Sequence, residues 1–331
     1  MSKQPVRAHL LDTLLSDIVL PPLPMSDVAL DKEEMFHHNA ALRPILDGAT
    51  CIEATNVARF FDNSYRGDDG SFDSFWTDLK CLVPPYKRFF VEWEAPLIPG
   101  AKRMGMMFVA CKPDEAENIA RAIIGRGARS TPTKIVEFRQ DVRCRWIYIA
   151  LDFLEFPHKN GDGHISGLRG PYHITTISVA EDGSLLDFWM SHATAQIPKD
   201  ESMQVAAASL VAWTTLSMMN CANIQIAEHK APDAFQKARA KSGKRPLVSY
   251  HTVRVDLDKT PRQIAAPSLP GDDGTTPRLH KKRGHMKDYR RGKGLFGRYK
   301  GVWFWGDMTA GSADEGVVVS DYEIKAKAEV K

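Results

Sequence analysis

The chain is poor in the features that most often name a protein's chemistry. Its five cysteines, at positions 51, 81, 111, 144 and 221, are odd in number, widely spaced and never paired as Cys-x-x-Cys. That pattern argues against a disulfide framework or a zinc ribbon and predicts reduced core thiols. There is no Gly-Lys-Ser/Thr, so Gly292, Gly294 and Gly297 do not make a Walker A loop. The longest apolar stretch, Met203 to Met219, is broken by Gln204, Ser209, Thr214, Thr215 and Ser217, which predicts a buried core helix rather than a membrane span. Leu10 to Leu20 carries Asp12 and Asp17, acids that a secretory signal would not hold. The expectation is a cytoplasmic protein without membrane association. Hydrophobic content of 43% and charged content of 26% over 331 residues are those of a globular chain with one large domain or two ordinary ones.

What the chain does have is charge of one sign in one place. Between Arg278 and Lys300 there are ten Lys/Arg against one acid, Asp288, which is +9 in a chain whose total is +3 and leaves about −6 for the rest. His280, His285, Tyr289, Tyr299 and four glycines lie in the same run. Before it, Thr260 to Pro277 is rich in Pro, Gly, Asp and Thr and reads as a linker. The organisation expected is therefore a mixed α/β domain over 1–259, a linker over 260–277 and a basic, β-containing C-terminal module over 278–331.

Local patterns predict an α+β fold, a mixed sheet with packed helices. Helices are expected over residues 8–20 and 31–43, the second ended or kinked by Pro44, and a third over 50–60. Arg88 to Glu94, Met104 to Cys111 and Trp146 to Leu154 read as strands, the last central because it hardly alternates. Pro113 opens a helix with Asp114, Glu115 and Glu117 early and Arg121 late, as the helix dipole favours. Segments 172–180 and 184–190 flank Asp182-Gly183, a hairpin signal. Further expected elements are a helix from Lys199 to Asn220, a strand over 223–227, a basic helix over 232–242, and strands over 250–257, 301–305 and 317–324.

Two chemistries suit the basic run. Cations interleaved with Tyr289, Phe296, Tyr299, Trp303 and Trp305 suit single-stranded nucleic acid, with phosphates on the cations and bases on the rings. The phosphate-binding set is Lys281, Lys282, Arg283, Lys287, Arg290, Arg291, Lys293 and Arg298. Trp303 and Trp305, on one strand face, would alternatively fill the module's core. If a helix starts at Gly284, His285 and Tyr289 fall four apart on one face beside Arg283. A metal-independent phosphodiester cleaver would use His285 as base or acid, Arg283 as phosphate clamp, and His280 or Tyr289 as second proton donor. Arg283-Gly284-His285 also matches the tail of a metal-nuclease motif. However, Lys282 replaces its leading acid and no asparagine follows His285, so no metal site is assigned. No cofactor is called for. The loop from His158 to His164 lacks the carboxylates of a calcium site. Glu92 and Glu94 share a strand face with nothing in the sequence to choose between them.

The string Leu279-His280-x-x-Arg283-Gly284-His285-x-x-x-Tyr289, continued by Leu295-Phe296-Gly297 and Trp303-Phe304-Trp305, resembles a group of phage- and prophage-borne bacterial proteins that end in this module. A looser likeness extends to Pro84-Pro85 with Phe89, Phe90 and Glu92, and to Asn220-Cys221-x-Asn223. The resemblance implies a mobile-element gene product working in a bacterial cytoplasm. It marks Arg283, Gly284 and His285 for testing without giving them roles. The functional expectation is a nucleic-acid-binding protein acting through its basic module. The alternatives are a ribonuclease or related phosphotransfer enzyme, and a structural or inhibitory phage protein that meets an acidic protein partner; homo-oligomers fit any of them.

Overall fold

The computed structural model describes residues 9–15, 42–58, 79–95, 98–124, 133–156, 168–171, 173–192, 199–255, 278–282, 285–295, 297–305, 308–310, 312–320 and 323–325. The fold is α+β, a large mixed sheet with helices packed on it. The chain divides into two compact units. One comprises residues 1–220 with 225–254, the other 221–224 with 255–331. Residues 221–224 thus leave the chain around them and join the C-terminal unit. The expected linker, residues 260–277, lies outside the described residues.

The larger unit is built on strands β1 (Thr50–Glu53), β2 (Arg88–Glu94), β3 (Arg103–Cys111), β4 (Cys144–Glu155), β5 (Leu168–Arg169), β6 (His173–Ala180), β7 (Leu185–His192), β8 (Ile224–His229) and β9 (Tyr250–Val255). Their order is β7-β6-β4-β3-β2-β1-β9-β8, with β5 added to β4. β1 runs parallel to both β2 and β9; the pairs from β2 through β7 are antiparallel. β3 is buried along its whole length and β4 through its middle, because both faces of the sheet are covered. On one face Phe90, Met107, Val109, Ile149, Leu151 and Phe153 meet the helix Leu10–Leu15, a helical segment over 42–47, and the helices Pro113–Ile124 and Thr133–Gln140. On the other, Phe89 stacks on Phe108 at 4.6 Å. Trp213 of the helix Lys199–Met219 stands edge-on to Phe108 at 4.8 Å. That helix has polar residues among its apolar ones, but Ser209 and Thr215 bond back to carbonyls of the preceding turn and so can be buried.

Two local expectations need correction. Thr50 to Glu53 is a strand, not the start of a helix; only Thr55–Ala58 is helical there. Thr50 and Ile52 are β-branched and suit a strand, which β2 and β9 pair from either side. Pro44 does not end a helix, because residues 42–47 are helical around it. The expected helix over 8–20 is described only as Leu10–Leu15, and residues 31–41 lie outside the described set.

Gly105 lets the first face close. A Cβ there would stand 2.3 Å from the Phe90 ring and 3.0 Å from a Leu10 methyl, both wholly buried. Gly105→Ala should therefore lower stability by about 1–3 kcal/mol through overpacking, read as a drop in the urea midpoint at unchanged m.

The C-terminal unit holds β10 (Arg278–Lys282), β11 (His285–Asp288), β12 (Val302–Trp305), β13 (Met308–Ala310), β14 (Ser312–Ser320) and β15 (Glu323–Lys325). β11 and β12 form an antiparallel hairpin, and the other four a separate sheet in the order β13-β10-β14-β15. The single strand expected over 317–324 is thus two, β14 and β15.

Candidate functional sites

The β11–β12 hairpin is the part of the basic run whose side chains are described. Its register sets His285 opposite Trp305, Met286 opposite Phe304, Lys287 opposite Trp303 and Asp288 opposite Val302. Met286, Val302 and Phe304 are buried. Residues 221–224 stitch onto the outer edge of β12. Ala222 N–H donates to the Val302 carbonyl at 2.7 Å, and the buried Asn223 amide donates to the Phe304 carbonyl at 2.8 Å while accepting its N–H at 3.0 Å. An asparagine here does the work of another strand residue, holding β12 straight from the side.

Between the two strands runs a loop closed by paired bonds between Leu295 and Tyr299 and by Tyr289 N–H on the Gly301 carbonyl. Gly292, Gly294 and Gly297 sit at φ of 75°, 84° and 72°. At Gly294 a side chain would also strike the Tyr299 carbonyl, at 2.8 Å. These glycines turn the chain tightly, so Arg291, Lys293 and Arg298 are displayed in close succession, all exposed. Arg290 is engaged differently. Its guanidinium lies along Asp288 with Nε 3.0 Å from both carboxylate oxygens and Nη2 2.7 Å from Oδ2. That pair holds the Asp288 carboxyl below its usual range. Lys300 donates to the Gly292 carbonyl. Lys287 Nζ stands 5.9 Å from the Trp305 ring, and Tyr299, exposed, meets the Trp303 edge at 5.7 Å. Trp303 is buried and fills the unit's core; Trp305 is only half-buried.

The structure revises the geometry expected of the catalytic set. His285 lies on a strand, not at the start of a helix. Four residues of extended chain put its Cα about 13 Å from that of Tyr289, where a helix would have brought them to about 6 Å. They share no helical face. His280, Lys281 and Lys282 belong to β10, in a different sheet from His285, and their side chains are outside the described set, as is Arg283 altogether.

The larger unit holds a second constellation, which the sequence alone does not single out. Glu92, 3% exposed, accepts from His9 Nδ1 at 2.6 Å and from the Leu11 N–H at 3.2 Å. Arg103 Nη1 stands 3.8 Å from Glu92 Oε1, and Arg103 Nε donates to Glu155. Lys102 reaches Glu155 at 3.5 Å. Asp12 accepts from the N–H groups of His9 and Val248, both at 2.9 Å. The His9 ring lies 4.3 Å from Tyr250, which stacks on His229 at 4.9 Å. Sheet register brings this together: Glu92 faces Gly105, and Arg103 sits between Glu94 and Glu155. The clue in the sequence is a glycine opposite one of two alternating glutamates, but pairing is needed to read it.

His9, Cys51 and Glu92 have ligand atoms within 4.8 Å of one another and are the described residues that could hold a metal ion. Three features weigh against it. An ion would have to part the His9–Glu92 hydrogen bond. The neighbouring guanidinium repels a cation. The Cys51 thiol is pushed well above its usual pKa, chiefly by burial and then by the Glu92 and Asp12 charges, so thiolate ligation is opposed. The same shift denies Cys51 a nucleophile's role. Burial likewise raises Asp12. The arrangement is an ion network that ties the segment 9–12 to the sheet. A buried imidazole–carboxylate contact lies on the opposite sheet face, with His173 Nδ1 2.7 Å from Asp152 and the His173 N–H donating to the same carboxylate.

Glu155 gives the network an acid limb. Burial alone would raise its pKa, but the Arg103 hydrogen bond and the Arg103 and Lys102 charges hold it below the ordinary value. A depressed carboxylate contributes stability that is complete above the unfolded pKa, about 4.3, and lost as pH falls through the folded value. Asp12, raised by burial, acts with the opposite sign. The readout is therefore a difference: wild type should lose stability faster than Glu155→Gln below about pH 4.3, followed by denaturation at stepped pH.

No family model, curated protein or solved structure matches this chain. Among the described residues no helix is long and apolar enough to cross a membrane. The site must therefore be read from its own chemistry.

Proposed function

We propose that the protein binds nucleic acid through the β11–β12 hairpin of its C-terminal unit. One observation carries the reading: a formed, glycine-turned loop displays Arg291, Lys293 and Arg298, with Lys287 beside it, while the local acid Asp288 is taken up by Arg290. A row of exposed cations on a fixed backbone suits a polyanion with regularly spaced charges. Tyr299 and Trp305 at the rim of the same surface offer ring faces to unstacked bases, which favours single-stranded segments. Lys281, Lys282 and Arg283 extend the charge along the chain, and the motif that contains them points to a phage or mobile-element setting.

The test is a binding titration of labelled single-stranded RNA, single-stranded DNA and duplex DNA, with chelator present, at salt from 50 to 400 mM. Affinity that falls steeply and log-linearly with salt, without strand cleavage, is the expected result. Salt-insensitive binding, or none at 50 mM, would overturn the reading. Cleavage lost in His285→Ala would make the protein an enzyme instead.

A further inference from the structure

The larger unit carries a second cationic surface that the basic C-terminal run does not include. The helix Asp233–Lys241 buries none of its side chains. Helices of this length normally depend on an apolar face packed against a core. This one is held by polar side chains instead. Gln236 clamps the Leu247 backbone from both sides, its amide donating to the carbonyl at 2.9 Å and its oxygen accepting the N–H at 2.9 Å; Arg239 Nε donates to the Arg245 carbonyl at 2.9 Å. Gln236 and Arg239, three apart, define the inner face. The face turned away from them is Ala234, Lys237, Ala238 and Lys241, all exposed.

The charge is lopsided. From Lys230 to Arg245 there are six cations against Asp233 alone. Lys230 pairs with Glu228 and Arg245 with Asp47, whereas Lys237, Lys241 and Lys244 have no ion pair among the described residues. We infer that this helix is a second nucleic-acid contact, lying against the phosphate backbone with its Lys237 and Lys241, and Lys244 just past its C-terminus, on phosphates. Ala234 and Ala238 let the helix axis come close. Lys237 and Lys241 are spaced about 6 Å along it, one turn, so each can take a separate phosphate. A merely solvated helix needs neither the alanines outward nor a one-sided charge. A bilayer would want bulky apolar residues on that face, and it offers alanine. The inference rests on the reading of the chain as a nucleic-acid binder, but not on the hairpin being the contact.

The test uses the full chain with Lys237→Gln, Lys241→Gln and Lys244→Gln combined, a change that keeps helix-forming residues in place. Circular dichroism and the thermal midpoint establish that the variant folds. A labelled duplex and its single strand are titrated at several salt concentrations, together with vesicles rich in phosphatidylserine. The expected result is a salt slope shallower by about 2–3 and affinity lower by about 30–100-fold at 0.1 M salt. The same loss should appear when the three changes are added to a hairpin variant lacking the Lys287, Lys293 and Arg298 charges. If wild type binds with a slope that the helix variant leaves unchanged, the helix inference falls and the hairpin reading stands. If the hairpin variant binds like wild type and only the helix variant weakens, the hairpin reading falls and the inference stands. Binding to vesicles in place of nucleic acid overturns both.

Discussion

Glu92→Ala should destabilise the larger unit by about 3–5 kcal/mol, the range for removing one partner of a buried ion pair. The carboxylate meets three groups at once: the His9 ring, the Leu11 N–H and the Arg103 guanidinium. Truncation leaves an orphaned backbone donor, worth about 1–3 kcal/mol, and removes one of two carboxylates facing a cation that is 8% exposed. Arg103 keeps Glu155, so the loss should fall at the lower end of the range. Glu92→Gln, which retains an acceptor for Leu11, should recover part of it. A cycle with His9→Ala isolates the shorter contact; because Glu92 is then already missing one partner, the two changes should fall short of additivity by about 1 kcal/mol or more. Urea unfolding of the four proteins decides it. Strict additivity would mean that His9 and Glu92 merely neighbour each other, and that the segment 9–12 is held by Leu10, Leu11 and Asp12 alone.

How far all this can be read from the sequence depends on how local its cause is. β3 and β4 are buried on both faces, so their apolar runs announce them. The Asp182-Gly183 turn between β6 and β7 follows from backbone geometry at one residue, Gly183 at φ 83°. β1 is easily merged with the helix Thr55–Ala58 that follows it, because a four-residue strand is specified by its neighbours, β2 and β9, and both enter later in the chain. The ion network is hidden for the same reason. Glu92 and Glu94 alternate identically in sequence, yet one is buried and the other exposed, and only the packing of Leu10 and Leu11 over the sheet separates them. At the hairpin the charge is legible but the geometry is not. A helix from Gly284 is compatible with the local pattern, whereas Asn223 and the 302–305 strand hold His285 in an extended chain. Composition reports which groups are present; pairing across long separations decides which of them meet.

The larger effect on function should come from the hairpin. Combining Lys287→Gln, Lys293→Gln and Arg298→Gln removes three exposed charges from a hairpin whose shape is set by strand pairing, glycines and backbone bonds, not by those side chains. Each neutralised phosphate contributes about 0.7 to the salt slope on a single strand and about 0.9 on a duplex. Removing three such cations should flatten the slope by about 2–3 and, at 0.1 M salt, weaken binding by about 100-fold. The decisive control is Arg290→Gln. Its guanidinium is already engaged by Asp288, so as a phosphate ligand it is poor, but as the clamp of the turn it matters. Its removal frees an exposed carboxylate beside the remaining cations, so affinity should fall by more than one charge's worth; with Asp288→Asn added, much of that loss should return. If Arg290→Gln instead costs only what the loss of any single cation would, and Asp288→Asn restores nothing, then the loop's charges act as a diffuse cloud rather than as an ordered row, and the hairpin's geometry is irrelevant to its binding.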